Sequence, residues 1–194
     1  MPRIDVHSFY AESLQQHGDT AEGLHFQSET TQLARFRVLC DCFPETLSGL
    51  TLVDVGCGFG DFLFYLQERG GAPSRYIGID IHERMVETAR ERTGAEILHR
   101  DVLKDPLPDA DYYVCSGGMN TLTRAETREF MARCFDASTR GYLFNILRGS
   151  DYSEVFNYRQ PDEIEAWASE LGADCRIIDG YLHQDFTVAL TRPA

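Results

Sequence analysis

A glycine-rich bend between two apolar patterns constrains this fold more than any other stretch. The sequence TLVDVGCGFG covers residues 51–60, with glycines at positions 56, 58 and 60. The run TLVDV fits a buried strand, and FGDFLFYLQERGG after it carries apolar residues at helical spacing. Glycines permit positive φ angles and let another molecule approach the backbone. A strand that bends in this way into a helix is a building unit of a parallel sheet covered by helices.

Strand and helix patterns alternate along the rest of the chain. RYIGID, EILHR, DYYVCS and GYLFNIL are strand-like and are separated by other segments, several of them helical. A capping box at Thr123 and Glu126 marks the start of the helix after the fourth strand. DCRIIDGYLHQDFTVALTR is typical of two strands around a short turn. We therefore predict an α/β fold: a doubly wound, seven-stranded, mostly parallel sheet with an antiparallel last strand.

Two helices are predicted before the first strand, near residues 9–16 and 29–42. The apolar face of the second would consist of Leu33, Phe36, Leu39 and Cys40. We expect a single domain over residues 1–194, in which residues 1–48 form an N-terminal helical cap and residues 49–194 form the core.

Charge and composition exclude several classes of partner. The net charge is −13 and no basic stripe occurs, so a nucleic-acid partner is not expected. No apolar run approaches the roughly 20 residues that span a bilayer, and the N-terminus lacks the apolar region of a signal peptide. The six cysteines have no zinc-type spacing, so no metal site is predicted. We expect a cytoplasmic monomer or homodimer without a membrane partner.

The bend does not match the phosphate-binding motifs. Gly56 and Gly58 satisfy the first two positions of Gly-x-Gly-x-x-Gly, but the third position is Asp61. The Gly-Lys-Ser/Thr ending of a phosphate-binding loop is also missing. Asp54 and Asp61 suit a cationic ligand better than a pyrophosphate. A dinucleotide-dependent oxidoreductase is therefore disfavoured.

Three acidic positions together resemble the hallmark of the Rossmann-like (class I) S-adenosylmethionine (SAM) dependent methyltransferases. In that family an acid near the end of strand one precedes Gly-x-Gly-x-Gly, as in VDVGCGFG. A second acid ends strand two, as in YIGIDI, and a third follows strand three, as in HRDV. The resemblance covers residues 51–146. It implies an enzyme of that fold, with SAM as cofactor and S-adenosylhomocysteine (SAH) as product.

The resemblance also implies roles for residues at the first two strand ends. Gly56, Gly58 and Gly60 would let the backbone approach the amino-acid tail of SAM, and Asp54 would bind or orient its ammonium group. Asp80 would accept hydrogen bonds from both ribose hydroxyls, because a carboxylate presents two acceptors side by side.

The adenine would lie against residues that follow strands two and three. Ile81 would pack on its face and Met85 would line its pocket. Asp101 would accept a hydrogen bond from the adenine amino group, and Val102 would offer its backbone N–H to the ring.

At the other end of the cofactor, Ser116 and Gly117 would border the donor methyl group. Arg35 lies on the helix before strand one, where an arginine can grip the SAM carboxylate with its planar fork. The alternative for Arg35 is a solvated helix face.

Missing motifs narrow the methyl acceptor. The Asn/Asp-Pro-Pro-Tyr motif after strand four, typical of amino-group methylation on bases, is replaced by CSGGMN, and no acidic pair follows to hold magnesium. The acceptor is therefore expected to be a small molecule methylated on oxygen or nitrogen. The long loop at residues 148–160 is expected near it. Candidate catalytic bases are Tyr10, His25, Tyr181 and His183, and Asn120 and Asn145 could face the acceptor.

Two alternatives keep the same cofactor site. The chain could catalyse other SAM chemistry, either an intramolecular cyclisation or the cleavage of SAM itself. It could also be a SAM-binding protein without catalytic activity.

Overall fold

The computed structural model describes residues 5–149, 153 and 155–193. Residues 150–152 and 154, which belong to the loop expected near the acceptor, lie outside the described residues, as do residues 1–4 of the expected cap.

A seven-stranded sheet lies at the centre, with the lateral order β3-β2-β1-β4-β5-β7-β6. The first five strands pair in parallel, and β7 runs antiparallel to both of its neighbours. This confirms the predicted doubly wound α/β sheet with an antiparallel last strand. The strands are β1 Thr51–Val55, β2 Arg75–Asp80, β3 Glu96–His99, β4 Ala110–Ser116, β5 Ser138–Leu147, β6 Asp174–Ile178 and β7 Asp185–Thr191.

Helices cover both faces of the sheet and bury two apolar clusters. One cluster joins α5 and α6 to the strands, and the other joins α2, α3 and α4 to the opposite face. The predicted capping box is present, since Thr123 and Glu126 exchange hydrogen bonds at the start of α5. The helices are α1 Val6–His17, α2 Glu29–Cys40, α3 Asp61–Glu68, α4 Glu83–Thr93, α5 Arg124–Asp136 and α6 Pro161–Glu170.

Helix α2 is rotated relative to the sequence-based prediction. Leu33 was expected to face the core, but it is 40% exposed. The buried stripe runs through Gln32, Phe36 and Leu39, and one residue along a helix turns its side chain by about 100° away from such a stripe. Gln32 instead reaches the carboxylate of Asp61 at 3.4 Å. Cys40 is half-buried at the end of the helix.

The strand order places a crevice at the carboxyl ends of β1 and β4. The chain leaves β1 towards β2 on one side, and β4 lies on the other side, so the connections diverge there. Open sheets of this kind bind ligands at such a switch point. Among the described residues, no helix is both long and apolar enough to cross a membrane.

Candidate active site

A cavity opens at the carboxyl ends of β1, β2 and β4. It encloses about 1000 Å³, including the space open to solvent at its mouth. Gly56 and Gly58 form part of its lining, with φ angles of 72° and 53°, which favour glycine. A Cβ atom on Gly58 would lie 2.9 Å from the side chain of Leu24, which covers the bend. Gly58 therefore lacks a side chain where Leu24 of the cover packs on the bend, whereas Gly56 presents bare backbone to the cavity.

Asp80, the last residue of β2, lines the cavity and ties the bend to helix α4. One carboxylate oxygen accepts the Gly58 N–H at 2.9 Å, and the other accepts the His82 N–H at 2.9 Å. Burial raises the pKa of Asp80, and the backbone N–H groups act against this rise. Because a carboxylate has about four lone-pair sites, both oxygens keep acceptor capacity. Asp80 can therefore bind a pair of neighbouring hydroxyl groups.

Asp54, which was expected to bind or orient the ammonium group directly or through water, does not line this cavity. Its side chain lies behind the bend, on the sheet face that α2 and α3 cover, because strand residues alternate between faces. The Tyr76 hydroxyl donates to its carboxylate at 2.6 Å. Burial raises the pKa of Asp54 to about 7, against the effect of the Tyr76 hydrogen bond. Asp54 can act on a ligand only through the bend itself.

Gly60 and His183 also lie away from the cavity. Gly60 precedes α3 with φ of 82°, and a Cβ atom there would lie 2.5 Å from Thr93 Cγ2, so packing of α3 against α4 accounts for this glycine. His183 is exposed in the turn between β6 and β7, beside the ion pair of Arg148 and Asp179 in a separate depression. It is Tyr181 in the same turn that points inward, which leaves His183 on the outer side.

Tyr10 and His25 line the cavity from its cover, which consists of α1 and the segment before α2. The His25 ring stacks on Phe9 with 3.8 Å between ring centroids, and its Nε2 lies 3.2 Å from the Phe9 carbonyl oxygen. Since a carbonyl can only accept, Nε2 carries the proton and Nδ1 of the neutral ring is an acceptor. Burial lowers the pKa of His25. His25 is therefore suited to be neutral and basic at neutral pH.

The pKa of Tyr10 is raised, whereas that of His25 is lowered. Burial raises the pKa of its hydroxyl, and the negative charge of Asp80 raises it further. The Tyr10 hydroxyl therefore stays protonated at neutral pH and can donate a hydrogen bond into the cavity.

The residues expected around an adenine do line one end of the cavity. They are Ile81, Met85, Asp101 and Val102. Asp101 accepts the Leu103 N–H at 2.9 Å and pairs with Lys104 at 2.8 Å.

Sequence reasoning missed most of the apolar wall of the cavity. Phe156 belongs to the loop that was expected near the acceptor, and Leu103 directly follows the third acidic motif. Most of the others come from the cover and from segments far along the chain. The apolar residues that were not named individually are Leu24, Phe26, Ile79, Leu103, Leu122, Phe130 and Phe156.

Two hydrogen-bond donors converge beside Gly117, just after β4. A Cβ atom on Gly117 would lie 3.3 Å from Nη1 of Arg35 and 3.5 Å from Nδ2 of Asn120. The Arg35 guanidinium lies 5.3 Å from the centroid of the Phe26 ring, and its Nε donates to Asp185. Arg35 thus faces the cavity and not solvent, so this end of the site can hold an anionic group.

Comparison with known proteins identifies relatives in sequence. Residues 52–141 match a family model described as a methyltransferase domain. A Mycobacterium tuberculosis (strain H37Rv) protein designated methyltransferase Rv1506c is 33% identical over 117 residues, which are 55% of this chain and 67% of that protein. Demethylmenaquinone methyltransferase of Staphylococcus aureus (strain MRSA252) is 32% identical over 74 residues, 36% of this chain and 31% of that enzyme. The matched part is thus about a third of that second relative.

Solved structures share the fold. Magnesium protoporphyrin IX methyltransferase (ChlM) from Synechocystis PCC 6803 with bound SAH superposes with a TM-score of 0.71 at 13% identity, covering 96% of this chain and 94% of that one. The DhpI–SAH complex superposes with a TM-score of 0.72 at 14% identity, covering 96% and 95%. At these identities the likeness concerns the fold.

Proposed function

Since this chain belongs to the Rossmann-like SAM-dependent methyltransferases, we propose that it transfers the methyl group of SAM to an oxygen or nitrogen of a small-molecule acceptor. One observation carries the proposal. A single cavity brings together the bare bend at Gly56 and Gly58, the carboxylate of Asp80 and the guanidinium of Arg35. These groups match the amino-acid tail, the ribose and the carboxylate of one ligand.

The residues present fit SAM. Asp80 would accept from the ribose hydroxyls, and the apolar side chains of Ile81 and Met85 would pack on the adenine. Arg35 and Asn120 would donate to the carboxylate beside Gly117. The support for this assignment is the cavity itself, in which a side chain on Gly117 would meet both donors.

When bound, SAM supplies a methyl group on a sulfonium that needs no further activation. The chain has to orient the acceptor and exclude water, and proximity of this kind can lower a barrier by about 7–11 kcal/mol at most. Tyr10, His25 and Phe26 cover the cavity from above. Phe9 and Phe156 meet edge to face with 5.9 Å between ring centroids, which narrows the approach between cover and loop.

His25 is the base that the geometry favours. Its Nδ1 can accept the proton of an acceptor O–H or N–H, while Nε2–H remains bonded to the Phe9 carbonyl. Tyr10 would donate a hydrogen bond to the acceptor. The net charge of −13 and the covered cavity favour a small neutral or cationic acceptor over a polyanion.

The test is incubation with methyl-labelled SAM and a panel of small phenols, amines and carboxylic acids. We expect SAH release with label in one acceptor class. Release of methylthioadenosine without label transfer would overturn the proposal in favour of other SAM chemistry. SAM binding without turnover across the panel would overturn it in favour of a binding protein.

The variant Asp80→Ala tests the proposed cofactor site. We expect it to weaken SAM binding by one to two orders of magnitude, about 1.4–2.7 kcal/mol, because charge-assisted hydrogen bonds are lost. Calorimetric titration measures the affinity, and a urea midpoint shows whether the variant is folded. Unchanged affinity in the folded variant would contradict the role of Asp80.

A further inference from the structure

A row of three polar residues, two of them buried and one half-buried, crosses the sheet beneath helix α2. Ser116 in β4 is the register partner of Asn145 in β5, and Asn145 is the partner of Thr187 in β7. Asn145 and Thr187 are 0% exposed, among strands that are otherwise mostly apolar. Burying polar groups costs free energy unless they are hydrogen-bonded, so the partners of this row are informative.

The row continues into a hydrogen-bond network in which donation runs from Ser116 towards Asp185. Ser116 Oγ lies 3.2 Å from Asn145 Oδ1, and Asn145 Nδ2 donates to Thr187 Oγ1 and to Tyr181 Oη. Thr187 Oγ1 donates to Tyr181 Oη at 2.9 Å, and Tyr181 Oη donates to Asp185 Oδ1 at 3.0 Å. Amide and carboxylate oxygens can only accept, which fixes every proton in this chain.

At its far end the hydrogen-bond network reaches Arg35. Asp185 accepts from Tyr181 with one oxygen and from Arg35 Nε with the other, and the side chains of Arg35 and Asp185 are only 12% and 2% exposed. Arg35 Nε is therefore engaged, while its Nη1 faces Gly117 in the cavity. The turn and β7, which contribute Tyr181 and Thr187, do not line the cavity.

The hydrogen-bond network reaches the cavity at two residues, and these offer opposite groups to a ligand. The Ser116 hydroxyl donates its one hydrogen bond to Asn145 Oδ1, so its oxygen offers only lone pairs to a ligand. Arg35 offers only N–H donors. A ligand complementary to both carries a positive centre or a donor near Ser116 and a carboxylate near Arg35, as the methionine part of SAM does.

We propose that Tyr181, together with Asp185, Thr187 and Asn145, is a positioning network for the two cofactor contacts Arg35 and Ser116. Tyr181 holds Asp185 so that the Arg35 fork faces the carboxylate of the bound cofactor. The network touches no ligand itself. The inference rests on the proposed function, because the ligand of Arg35 is the SAM carboxylate.

The variant Tyr181→Phe removes the donor to Asp185 and the acceptor for Thr187 while keeping the ring. We expect SAH affinity and the KM for SAM to weaken about tenfold, with kcat at saturating SAM little changed. The matched control is Tyr113→Phe, which removes another buried hydroxyl that donates to the Pro108 carbonyl outside the network. Tyr113→Phe should leave SAH affinity unchanged.

A double-mutant cycle separates positioning from a general structural effect. In an Arg35→Ala background, Tyr181→Phe should change SAH affinity by less than about twofold, because Tyr181 acts on Arg35 through Asp185, whereas Ser116 is held by Asn145. Equal losses in both backgrounds would overturn the proposal. If Tyr181→Phe does not fold, Thr187→Val takes its place in the cycle, and Thr187→Ser, which keeps the hydroxyl, should retain wild-type affinity.

The same titrations distinguish the two proposals. Absence of SAH binding by the wild-type protein would overturn the proposed function. Binding by the wild type, loss of binding in Asp80→Ala and unchanged binding in the folded Tyr181→Phe variant would overturn only the positioning network.

Discussion

At the scale of single residues, the carboxyl group of Asp54 shows how the site is supported from behind. It lies 3% exposed at the end of β1 and accepts the Tyr76 hydroxyl. Its folded-state pKa of about 7 is above the usual value of 3.8, with burial as the main cause. The folded protein therefore holds this proton more tightly than the unfolded chain does.

This difference predicts a pH-dependent stability. Between about pH 4 and pH 7 the unfolded chain has released the proton and the folded chain has not, so the contribution of Asp54 to the free energy of unfolding falls as pH rises. We expect the wild type to lose stability relative to Asp54→Asn between about pH 5 and pH 8. Urea denaturation at both pH values measures it.

The exposed Asp174 at the start of β6 supplies the control, since Asp174→Asn should show no such trend. A constant stability difference between the wild type and Asp54→Asn at both pH values would contradict the raised pKa.

His25 predicts a pH dependence of a different kind, in activity. A base acts when deprotonated, so the rate should be level at neutral pH and fall only below the lowered pKa of His25. In His25→Gln we expect a rate about 100-fold lower and without this acid limb, since general-base catalysis contributes about 10²–10⁴-fold. The pH profile of kcat/KM, measured for the wild type and for His25→Gln, tests this expectation. An unchanged acid limb in the variant would exclude His25 as the base.

At the scale of secondary-structure elements, Gly60 and Gly94 allow a direct comparison. Both have positive φ, 82° before α3 and 64° after α4. A Cβ atom on Gly60 would collide with Thr93, whereas nothing lies within 4 Å of one on Gly94.

We expect Gly94→Ala to lower the free energy of unfolding by about 1–2 kcal/mol through backbone strain alone. Gly60→Ala should lower it by about 1–3 kcal/mol more, because the methyl group is also overpacked. Urea denaturation of both variants gives the comparison. Equal losses would show that α3 and α4 can separate freely at this point.

The elements were largely predictable from the sequence, but side-chain directions were less so. Strand β2 coincides with RYIGID because a short apolar run bounded by turn residues marks it locally. Leu33 was placed on the wrong face of its helix, and Asp54 and His183 were named as site residues although they do not line the cavity, because side-chain direction depends on contacts with distant strands. The row through Asn145 and Thr187 depends on a register that only the assembled sheet defines.

At the scale of the whole molecule, the cover over the cavity packs against a small apolar cluster and not against the two large ones. Helix α1 packs through Leu14 against Phe59 and Met85, in a small cluster apart from the two large ones. Tyr10 and Leu24 join this cluster at its edge. A ligand in the cavity would therefore add contacts to the part of the chain that has few of its own.

We expect SAH to slow amide hydrogen exchange in residues 9–26 and to leave β5 unchanged. Exchange in a weakly packed segment reports local opening, and a ligand that binds the closed form suppresses it. Mass spectrometry of peptides from both segments, with and without SAH, measures this. Equal protection of both segments would mean that the cover opens only when the whole sheet unfolds.

The ion pair between Arg35 and Asp185 joins residues 150 positions apart in the chain. During synthesis, the glycine bend, Asp80 and Arg35 all leave the ribosome long before strand β7 does. Until that strand pairs with β5, Asp185 cannot reach the Arg35 guanidinium, so the proposed cofactor site is complete only in a chain that includes β7.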